Sequence, residues 1–368
     1  MTGKGRAAIY NGLGKPFEIK EYPVPDPEPG AILIKVSVAT ICGSDLHMWR
    51  GDLDLAALGL PLPVILGHEM TGKVAKLGKG ISTDSVGQPL SEGDRVVYRY
   101  FKPCGRCPSC LKGEDVACPQ SGMFIIPSEP PPHFFGAYAD YYYLSPNQTV
   151  IKVPDDLTDQ VVAPVNCALS EMIYGLEKIN LRFGETVVIQ GAGGLGINAT
   201  AVAKEMGAHK VIVIDGITER LNLVKAFGAD EVVDMKEYKT PEERVNRVME
   251  LTNYWGADVV AELVGFPEAI PEGLNMLAYG GRLLEIGNIS LGKTVAIDPG
   301  LLVMSNKTIR AVAYYGRDTL KKSLDFLSRT KGKYPFDKIL SRTYPLEKIN
   351  EAFENQDKGL VSRSAIVP

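Results

Sequence analysis

The sequence predicts an α/β protein in which a β-rich region is followed by a doubly wound parallel sheet. Up to about residue 167, short runs of β-branched and aromatic residues, such as 31–39 and 138–144, are separated by Gly and Pro. After residue 168, short apolar runs alternate with stretches of helical periodicity. Strands that are apolar throughout and alternate with helices are typical of a parallel sheet covered on both faces.

The elements follow from these patterns in chain order. The first region is predicted to form an antiparallel barrel or sandwich with long loops, one of them the Pro-rich segment 127–132. Parallel strands are then predicted at residues 186–190, 211–215, 231–234, 258–264 and 282–287, with helices at 194–206, 219–227, 241–252 and 268–278. The tail, residues 318–368, returns to a helix and a strand.

Composition and charge exclude several classes of protein. The 368 residues include 40 Lys and Arg against 44 Asp and Glu, so the net charge is −4 and no basic run offers a nucleic-acid site. No apolar stretch approaches the roughly 18 residues of a membrane helix. The first ten residues lack the apolar core of a signal peptide. We therefore expect a cytoplasmic protein with reduced thiols, without nucleic-acid or membrane partners.

Four of the six cysteines follow the spacing C-x2-C-x2-C-x7-C. Four thiolates on one tight loop are typical of a closed, tetrahedral zinc site, which would be structural because no coordination position stays open. Two disulfides or an iron–sulfur cluster are the alternatives, although the last spacer of such a cluster motif is three residues rather than seven. The predicted ligands are Cys104, Cys107, Cys110 and Cys118.

A second group offers two thiolates and one imidazole. Cys42, His68 and Cys167 would give a catalytic zinc three protein ligands and one open position. The acidic residues Asp45 and Glu69 could orient these ligands and offset charge. Taken singly, each cysteine could be a small buried apolar residue, and the histidine could be a hydrogen-bonded loop residue. The prediction of a zinc site therefore depends on all three residues together.

A glycine-rich loop follows the strand predicted at 186–190. The pattern G-x-G-x-x-G between a strand and a helix allows a tight turn and a close approach of a pyrophosphate to the helix N-terminus. Asp215 ends the next strand, about 20 residues further on, where an acid binds the adenosine ribose. A tight turn that binds nothing is the alternative. The predicted dinucleotide-binding residues of the loop are Gly191, Gly193, Gly194, Leu195 and Gly196.

Together these residues resemble the zinc-dependent medium-chain alcohol dehydrogenases over nearly the whole chain. The resemblance implies a GroES-like catalytic domain, formed by residues 1–167 and 318–368, and a Rossmann domain that binds NAD at residues 168–317. It implies two Zn²⁺ per chain, one catalytic and one structural, on the two ligand sets above.

The resemblance also assigns individual roles. It implies that Ser44 meets the substrate oxygen and that His47 is the outer end of a proton relay. It implies that Arg363 binds the cofactor pyrophosphate and that Arg220 lies beside the adenosine ribose. A strand at 308–315 corresponds to the place where the family pairs subunits, so a homodimer or homotetramer is expected.

The activity implied is reversible oxidation of a primary or secondary alcohol to an aldehyde or ketone, with hydride transfer to NAD. An enone reductase of the same superfamily and a non-catalytic dinucleotide-binding protein are the alternatives. The loop between His47 and His68 is long, and residues 123–136 are bulky and apolar. Because both loops are expected near the substrate, the resemblance does not transfer the substrate of any one member.

Overall fold

The computed structural model describes residues 3–121 and 125–368. The chain forms two compact units. Unit 1 comprises Met1–Ser170, Gly316–Lys331 and Phe336–Pro368, and unit 2 comprises Glu171–Tyr315 and Gly332–Pro335. Among the helices of the described residues, none combines the length and apolar character needed to cross a bilayer.

The strands are numbered along the chain. They are β1 (Lys4–Tyr10), β2 (Glu18–Pro23), β3 (Ile32–Thr40), β4 (Val64–Ile65), β5 (Glu69–Leu77), β6 (Arg95–Tyr98), β7 (Tyr141–Leu144), β8 (Val150–Lys152), β9 (Thr186–Gln190), β10 (Lys210–Asp215), β11 (Glu231–Asp234), β12 (Ala257–Glu262), β13 (Leu277–Glu285), β14 (Thr308–Ala311), β15 (Arg342–Pro345) and β16 (Ser364–Val367).

The α-helices are numbered in the same way. They are α1 (Gly43–Arg50), α2 (Pro108–Leu111), α3 (Asp159–Val162), α4 (Ala168–Lys178), α5 (Gly194–Glu205), α6 (Thr218–Ala226), α7 (Pro241–Leu251), α8 (Ala269–Met276), α9 (Pro299–Met304), α10 (Thr319–Thr330) and α11 (Ile349–Asp357). Short 3₁₀ helices occupy Asp115–Ala117, Ala163–Asn166, Phe336–Lys338 and Leu346–Lys348.

Unit 1 is built on a seven-stranded sheet in the order β15-β16-β3-β5-β6-β8, with β7 paired to β3. Its neighbours are antiparallel apart from the parallel pair β15 and β16. A second, three-stranded antiparallel sheet has the order β2-β1-β4. The β-rich first region predicted from the sequence is confirmed, and the tail supplies two strands of the larger sheet.

Unit 2 is a six-stranded parallel sheet in the order β11-β10-β9-β12-β13-β14. This is the doubly wound order, which reverses between β9 and β12 and receives ligands at the carboxyl ends of those strands. Residues such as Val188, Ile212 and Val260 are fully buried in its core. The predicted strands and helices of this region are confirmed to within a few residues, with one exception.

The exception is the strand predicted at 308–315. β14 ends at Ala311. Tyr314 has a φ of 66°, a left-handed conformation that a regular strand does not allow. The aromatic pair at the end of this run therefore belongs to a turn, although its composition favours a strand.

Candidate active site

The register of two strands brings Cys42 and His68 together. Thr40, at the end of β3, lies opposite Glu69, at the start of β5, in an antiparallel pair. The residues just beyond these ends must then lie close to each other, although they are far apart in sequence. Cys42 is the N-cap residue of α1, and His68 directly precedes β5.

Cys167 reaches the same place from a different segment. It follows the 3₁₀ helix Ala163–Asn166. The side-chain amide of Asn166 donates to the carbonyl of Met70 at 2.7 Å, which ties this helix to β5. Cys42, His68 and Cys167 are all buried, and their ligating atoms lie within 4.8 Å of one another.

The geometry of the three side chains fits a tetrahedral zinc ion. The Sγ atoms of Cys42 and Cys167 are 3.9 Å apart. Two thiolates bound tetrahedrally at about 2.3 Å would be about 3.8 Å apart. The Nε2 atom of His68 is buried and has no hydrogen-bond partner within the described part of the chain. A buried polar atom without a partner is costly, and a metal ion would satisfy it.

Asp45 lies beside the imidazole of His68. Its Oδ1 atom lies 3.5 Å from Nδ1 of His68. Its Oδ2 atom accepts hydrogen bonds from the backbone N–H of Cys42 at 2.9 Å and from the Tyr138 hydroxyl at 2.8 Å. A carboxylate on one ring nitrogen fixes the tautomer so that the other nitrogen can bind metal. The orienting role predicted for Asp45 thus has a geometric basis, and Tyr138 is a partner that the sequence did not indicate.

Glu69 forms a second buried acidic position. Its carboxylate accepts hydrogen bonds from the Thr40 hydroxyl, from the backbone N–H of Ala168 at 3.2 Å and from the guanidinium of Arg363. Burial raises the pKa of Glu69, and the charge of Arg363 opposes that rise. The resemblance assigns Arg363 to the cofactor pyrophosphate. In the structure its guanidinium is paired with Glu69, and the pyrophosphate role stays a prediction.

Ser44 and His47 lie three residues apart on α1, so they share one helix face. Ser44 is half-buried in the first turn. The Nδ1 atom of His47 lies 3.2 Å from a carboxylate oxygen of Asp52. Asp52 follows Gly51, whose left-handed φ of 87° ends the helix and turns the chain back. A glycine stop followed by an acid was the available sequence signal for this partner.

A small recess of about 20 Å³, lined by both polar and apolar side chains, borders His68. Met48, Tyr100, Ile125 and Phe135 are among the residues that line it. Two of these belong to the segment 123–136, for which the sequence predicts a position near the substrate. Residues 123 and 124 of that segment lie outside the described residues.

The four-cysteine cluster has a geometry that could hold a metal ion in a closed site. The Sγ atoms of Cys110 and Cys107 are 3.5 Å apart, and those of Cys110 and Cys104 are 4.0 Å apart. These separations bracket the value of about 3.8 Å expected for a tetrahedral zinc–thiolate site and far exceed a disulfide bond of about 2.05 Å. Cys104, Cys107, Cys110 and Cys118 are not joined by disulfide bonds. Gly105 and Gly113 have φ values of 74° and 81°, and these two turns fold the ligands together.

An ionic cluster anchors this loop within unit 1. Asp115 lies between the third and fourth cysteines and is 4% exposed. It accepts hydrogen bonds from Arg99 and from Arg317, each at 2.9 Å. Burial tends to raise the pKa of Asp115, but the two arginines outweigh this and hold it below its usual value. The loop therefore has an attachment that does not depend on metal.

In unit 2 the glycine loop follows β9 at the reversal of strand order. A Cβ atom on Gly196 would lie 1.8 Å from the carbonyl oxygen of Gly191, so only glycine fits there. Gly191 itself has a φ of 96°. The loop leads into the N-terminus of α5, where backbone N–H groups favour an anion. Gly193, Gly194 and Leu195 are half-buried at this turn.

Asp215 is linked to the glycine loop. One of its carboxylate oxygens accepts a hydrogen bond from the backbone N–H of Ala192 at 2.7 Å, and the other from Ile217 at 2.8 Å. Nη1 of Arg220 lies 4.0 Å from Asp215, and its Nε is buried with no hydrogen-bond partner in the described residues. Unit 2 thus brings the glycines, Asp215 and Arg220 together, whereas Arg363 belongs to unit 1.

Comparison with known proteins covers both regions of the chain. Residues 28–155 match the family described as the alcohol dehydrogenase GroES-like domain, and residues 194–329 match the family described as zinc-binding dehydrogenase. The chain is 31% identical to 5-exo-hydroxycamphor dehydrogenase from Pseudomonas putida over 362 residues, which cover 98% of each protein. It is 32% identical to L-threonine 3-dehydrogenase from Pyrococcus horikoshii over 360 residues, or 96% of each protein.

The fold is shared with solved structures. A crystal structure of an alcohol dehydrogenase from Thermotoga maritima superposes with a TM-score of 0.91 at 30% identity, covering 99% of each chain. Sequence and fold agree over both the β-rich region and the parallel sheet. The chain therefore belongs to the zinc-dependent medium-chain alcohol dehydrogenase family.

Proposed function

We propose that this protein catalyses the reversible oxidation of a primary or secondary alcohol to an aldehyde or ketone, with hydride transfer to NAD. The observation that carries the proposal is the buried set of Cys42, His68 and Cys167, whose ligating atoms converge within 4.8 Å. A zinc ion held there would supply a Lewis acid with one open position for the substrate oxygen. Residues 1–167 and 318–368 would form the catalytic domain, and residues 168–317 the cofactor domain.

The chain's own residues would handle the proton. Ser44 is two residues from Cys42 and half-buried, so it can accept the alcohol proton. His47, on the same face of α1, would pass the proton to solvent, because an imidazole exchanges protons near neutral pH. Asp52 would hold the His47 ring in place through the contact at 3.2 Å.

The second zinc ion would be structural. Cys104, Cys107, Cys110 and Cys118 offer four sulfur ligands and leave no coordination position open. It would hold the loop 104–118 in a fixed shape and take no part in the chemistry. We therefore expect two Zn²⁺ per chain with separable effects.

The relatives favour secondary alcohols as first substrates to test. The names of two of them refer to a hydroxylated camphor and to the 3-hydroxyl of L-threonine, and both groups are secondary alcohols. Apolar side chains, among them Met48 and Phe135, line part of the small recess beside His68, which supports an uncharged substrate over an amino acid. Uncharged secondary alcohols are therefore the class we propose.

Metal analysis combined with a substrate screen tests this function. Wild-type protein should contain about two zinc ions per chain and reduce NAD when a secondary alcohol is supplied, which is read by nicotinamide absorbance. Cys42→Ser should retain about one zinc and lose turnover, because it removes a ligand of the open site only. A wild-type content of about one zinc, or full turnover by Cys42→Ser, would contradict the proposal.

NAD is proposed over NADP because of Asp215. Its carboxylate, at the end of β10, would accept hydrogen bonds from the adenosine ribose and repel a 2′-phosphate. A close pair of like charges costs several kcal/mol, so a preference of about 10² or more is expected. Arg220 lies close enough to soften this repulsion. The measurement is the ratio of kcat/KM with the two cofactors on one substrate, and a ratio of one or below would refute the choice.

We also propose that the protein is a homodimer or homotetramer. In support, all four residues of β14, at the end of the parallel sheet, are exposed. Nearby, Val303 and Met304 are 74% and 77% exposed. An exposed strand edge with apolar neighbours is suited to pairing with another chain. Light scattering should give a mass above that of one chain, and Ile309→Lys should reduce it; a monomeric wild-type protein would contradict this.

A further inference from the structure

Two glutamates lie side by side at the carboxyl edge of the unit 2 sheet. Glu262 ends β12 and Glu285 ends β13, and the two are paired in the parallel register of these strands. Residues paired in this way point to the same face. Glu262 is completely buried. Adjacent buried carboxyl groups are costly unless protons or donors offset their charges.

Glu262 is held by the loop that follows its own strand. Its Oε1 atom accepts hydrogen bonds from the backbone N–H groups of Val264 at 2.7 Å and Gly265 at 2.8 Å. Its Oε2 atom accepts one from the side-chain amide of Asn288 at 3.1 Å. Glu262 therefore joins the loop after β12 to the loop after β13.

Glu285 completes the link from the other side. Its Oε1 atom accepts hydrogen bonds from the backbone N–H of Asn288 at 3.0 Å and from the side-chain amide of Asn288 at 3.3 Å. Its Oε2 atom is buried and has no hydrogen-bond partner in the part of the chain described. A proton between this oxygen and Glu262 would satisfy both carboxyl groups.

The two loops are also packed backbone to backbone. The N–H groups of Ile286 and Gly287 point to the carbonyl oxygen of Glu262 at 3.2 and 3.1 Å. A Cβ atom on Gly287 would lie 2.5 Å from Oε2 of Glu262 and 2.6 Å from the nitrogen of Gly265. The two loops are therefore in direct contact around Glu262.

The raised pKa of Glu262 is consistent with a proton shared between Glu262 and Glu285. Burial and then the neighbouring charge of Glu285 raise the pKa of Glu262 to about 8, against the smaller opposing effect of the two backbone N–H donors. Among the described residues that act most strongly on the pKa of Glu262, Glu285 is the one with a charged side chain. Asn288 also contacts Glu262, but its side chain is neutral. The Glu262 carboxyl group is then mostly protonated at neutral pH and mostly ionised well above pH 8.

The place of this cluster in the sheet suggests its role. Asp215, predicted to bind the adenosine ribose, ends β10, and the glycine loop predicted to bind the pyrophosphate follows β9. The other half of a bound dinucleotide then extends across the ends of β12 and β13, beyond the reversal of strand order. The clamped loops, residues 263–267 and 286–290, lie at those ends.

We propose that Glu262, Glu285 and Asn288 form a proton-sharing clamp that holds the loop after β12 against the loop after β13 and so positions the nicotinamide half of the cofactor. This inference rests on the proposed dehydrogenase function. The three residues are positioning residues, because they act through the loops. When the shared proton is lost, repulsion between the carboxylates loosens the loops and weakens cofactor binding.

The expected pH dependence follows from that proton. The carboxyl group of Glu262 is mostly protonated below pH 8 and mostly ionised above it. We therefore expect NADH to bind strongly at neutral pH and more weakly as the pH rises. If only the protonated clamp binds, the competent fraction is about 0.9 at pH 7 and about 0.1 at pH 9. The dissociation constant for NADH should therefore rise about tenfold between these pH values.

Glu285→Gln provides the test. Its amide oxygen can keep both hydrogen bonds from Asn288, and its NH₂ group supplies Glu262 with a donor that does not titrate. We expect NADH to bind at pH 7 as in the wild type, with little weakening at pH 9. Glu268→Gln is the control, because Glu268 is exposed in the same region and the substitution changes the net charge equally.

Two measurements separate the clamp from the proposed function. NADH fluorescence titrations give the dissociation constants, and hydrogen–deuterium exchange of residues 263–267 and 286–290 reports the clamp in the free protein. After correction for intrinsic rates, wild type and Glu268→Gln should lose protection at pH 9, and Glu285→Gln should not. Equal pH dependence of protection in wild type and Glu285→Gln would overturn the clamp. Failure of the wild type to bind NADH or NADPH would instead refute the dehydrogenase function.

Discussion

Arg363 should stabilise unit 1 through its pair with Glu69, whatever else it binds. The side chain of Arg363 is 6% exposed and that of Glu69 is fully buried. In Arg363→Met the aliphatic volume is kept and the charge is lost. The carboxylate of Glu69 would then remain buried without its cation, a change that destabilises folded proteins because water cannot replace the missing partner.

The contacts of Glu69 limit how much stability Arg363→Met should lose. Removal of one partner from a buried ion pair costs about 3–5 kcal/mol. Glu69 keeps the hydroxyl of Thr40 and the N–H of Ala168 as donors, so we expect the lower end, about 3 kcal/mol. For a unit of this size, that corresponds to a fall in Tm of about 6–12 °C.

Calorimetry and denaturant unfolding can measure this effect. Arg342→Met is the matched control, because Arg342 is 55% exposed and lies 3.6 Å from the exposed Glu351. Such an exposed pair contributes about 0–1 kcal/mol. Glu69→Gln, alone and combined with Arg363→Met, completes a double-mutant cycle, and the coupling between Arg363 and Glu69 should be about 2 kcal/mol or more.

Equal thermal stability of Arg363→Met and Arg342→Met would refute the predicted contribution of the Glu69 pair. If Arg363→Met unfolds at the same temperature as Arg342→Met and only the affinity for cofactor falls, the Glu69 pair contributes nothing to stability. The pyrophosphate role implied by the resemblance would then account for Arg363 alone. Loss of both stability and cofactor affinity would support two roles for one side chain.

Four further substitutions separate the other roles. Cys107→Ser should lower the Tm of unit 1 and the zinc content to about one, and unchanged stability with lost turnover would show that this site is not structural. Ser44→Ala should reduce turnover by about 10² or more at constant zinc content, as expected for a positioned proton-transfer group; near-normal turnover would make Ser44 a bystander. Asp52→Asn should reduce turnover by less than Ser44→Ala, because it affects the orientation of His47 and leaves the proton path present; steady-state rates of the two variants decide this. Asp215→Gly should bring the kcat/KM values for NADP and NAD closer by about tenfold or more, and an unchanged ratio would place the discrimination elsewhere.

The parallel sheet could be predicted from the sequence because each strand, turn and helix is indicated by residues within its own short segment. β9 coincides with the predicted strand at 186–190, and α5 begins at Gly194 as expected. Buried strands are apolar throughout, and the glycines occupy positions where the turn excludes other residues. The two cysteine-containing ligand sets also come together, since residue type and spacing restrict what such side chains can do.

The polar partners could not be predicted because they depend on register. Nothing near Glu262 in sequence indicates that Glu285 lies opposite it, since that pairing follows from how β12 and β13 align. The same holds for Arg363 and Glu69, which are brought together by the pairing of β16 with β3 and of β3 with β5. From the sequence alone, a glutamate at the end of an apolar run indicates where a strand ends, but not which side chain lies beside it.

The position of β16 has a consequence for biosynthesis. β16 (Ser364–Val367) lies between β15 and β3 (Ile32–Thr40) in the larger sheet, so segments far apart along the chain pair side by side. Synthesis runs from the N-terminus, so β9 to β14 are all made before β16, and until then β3 lacks one neighbour. A nascent chain should therefore complete the parallel sheet first, while Cys42 and Cys167 stay beside an open sheet edge until β16 has been made.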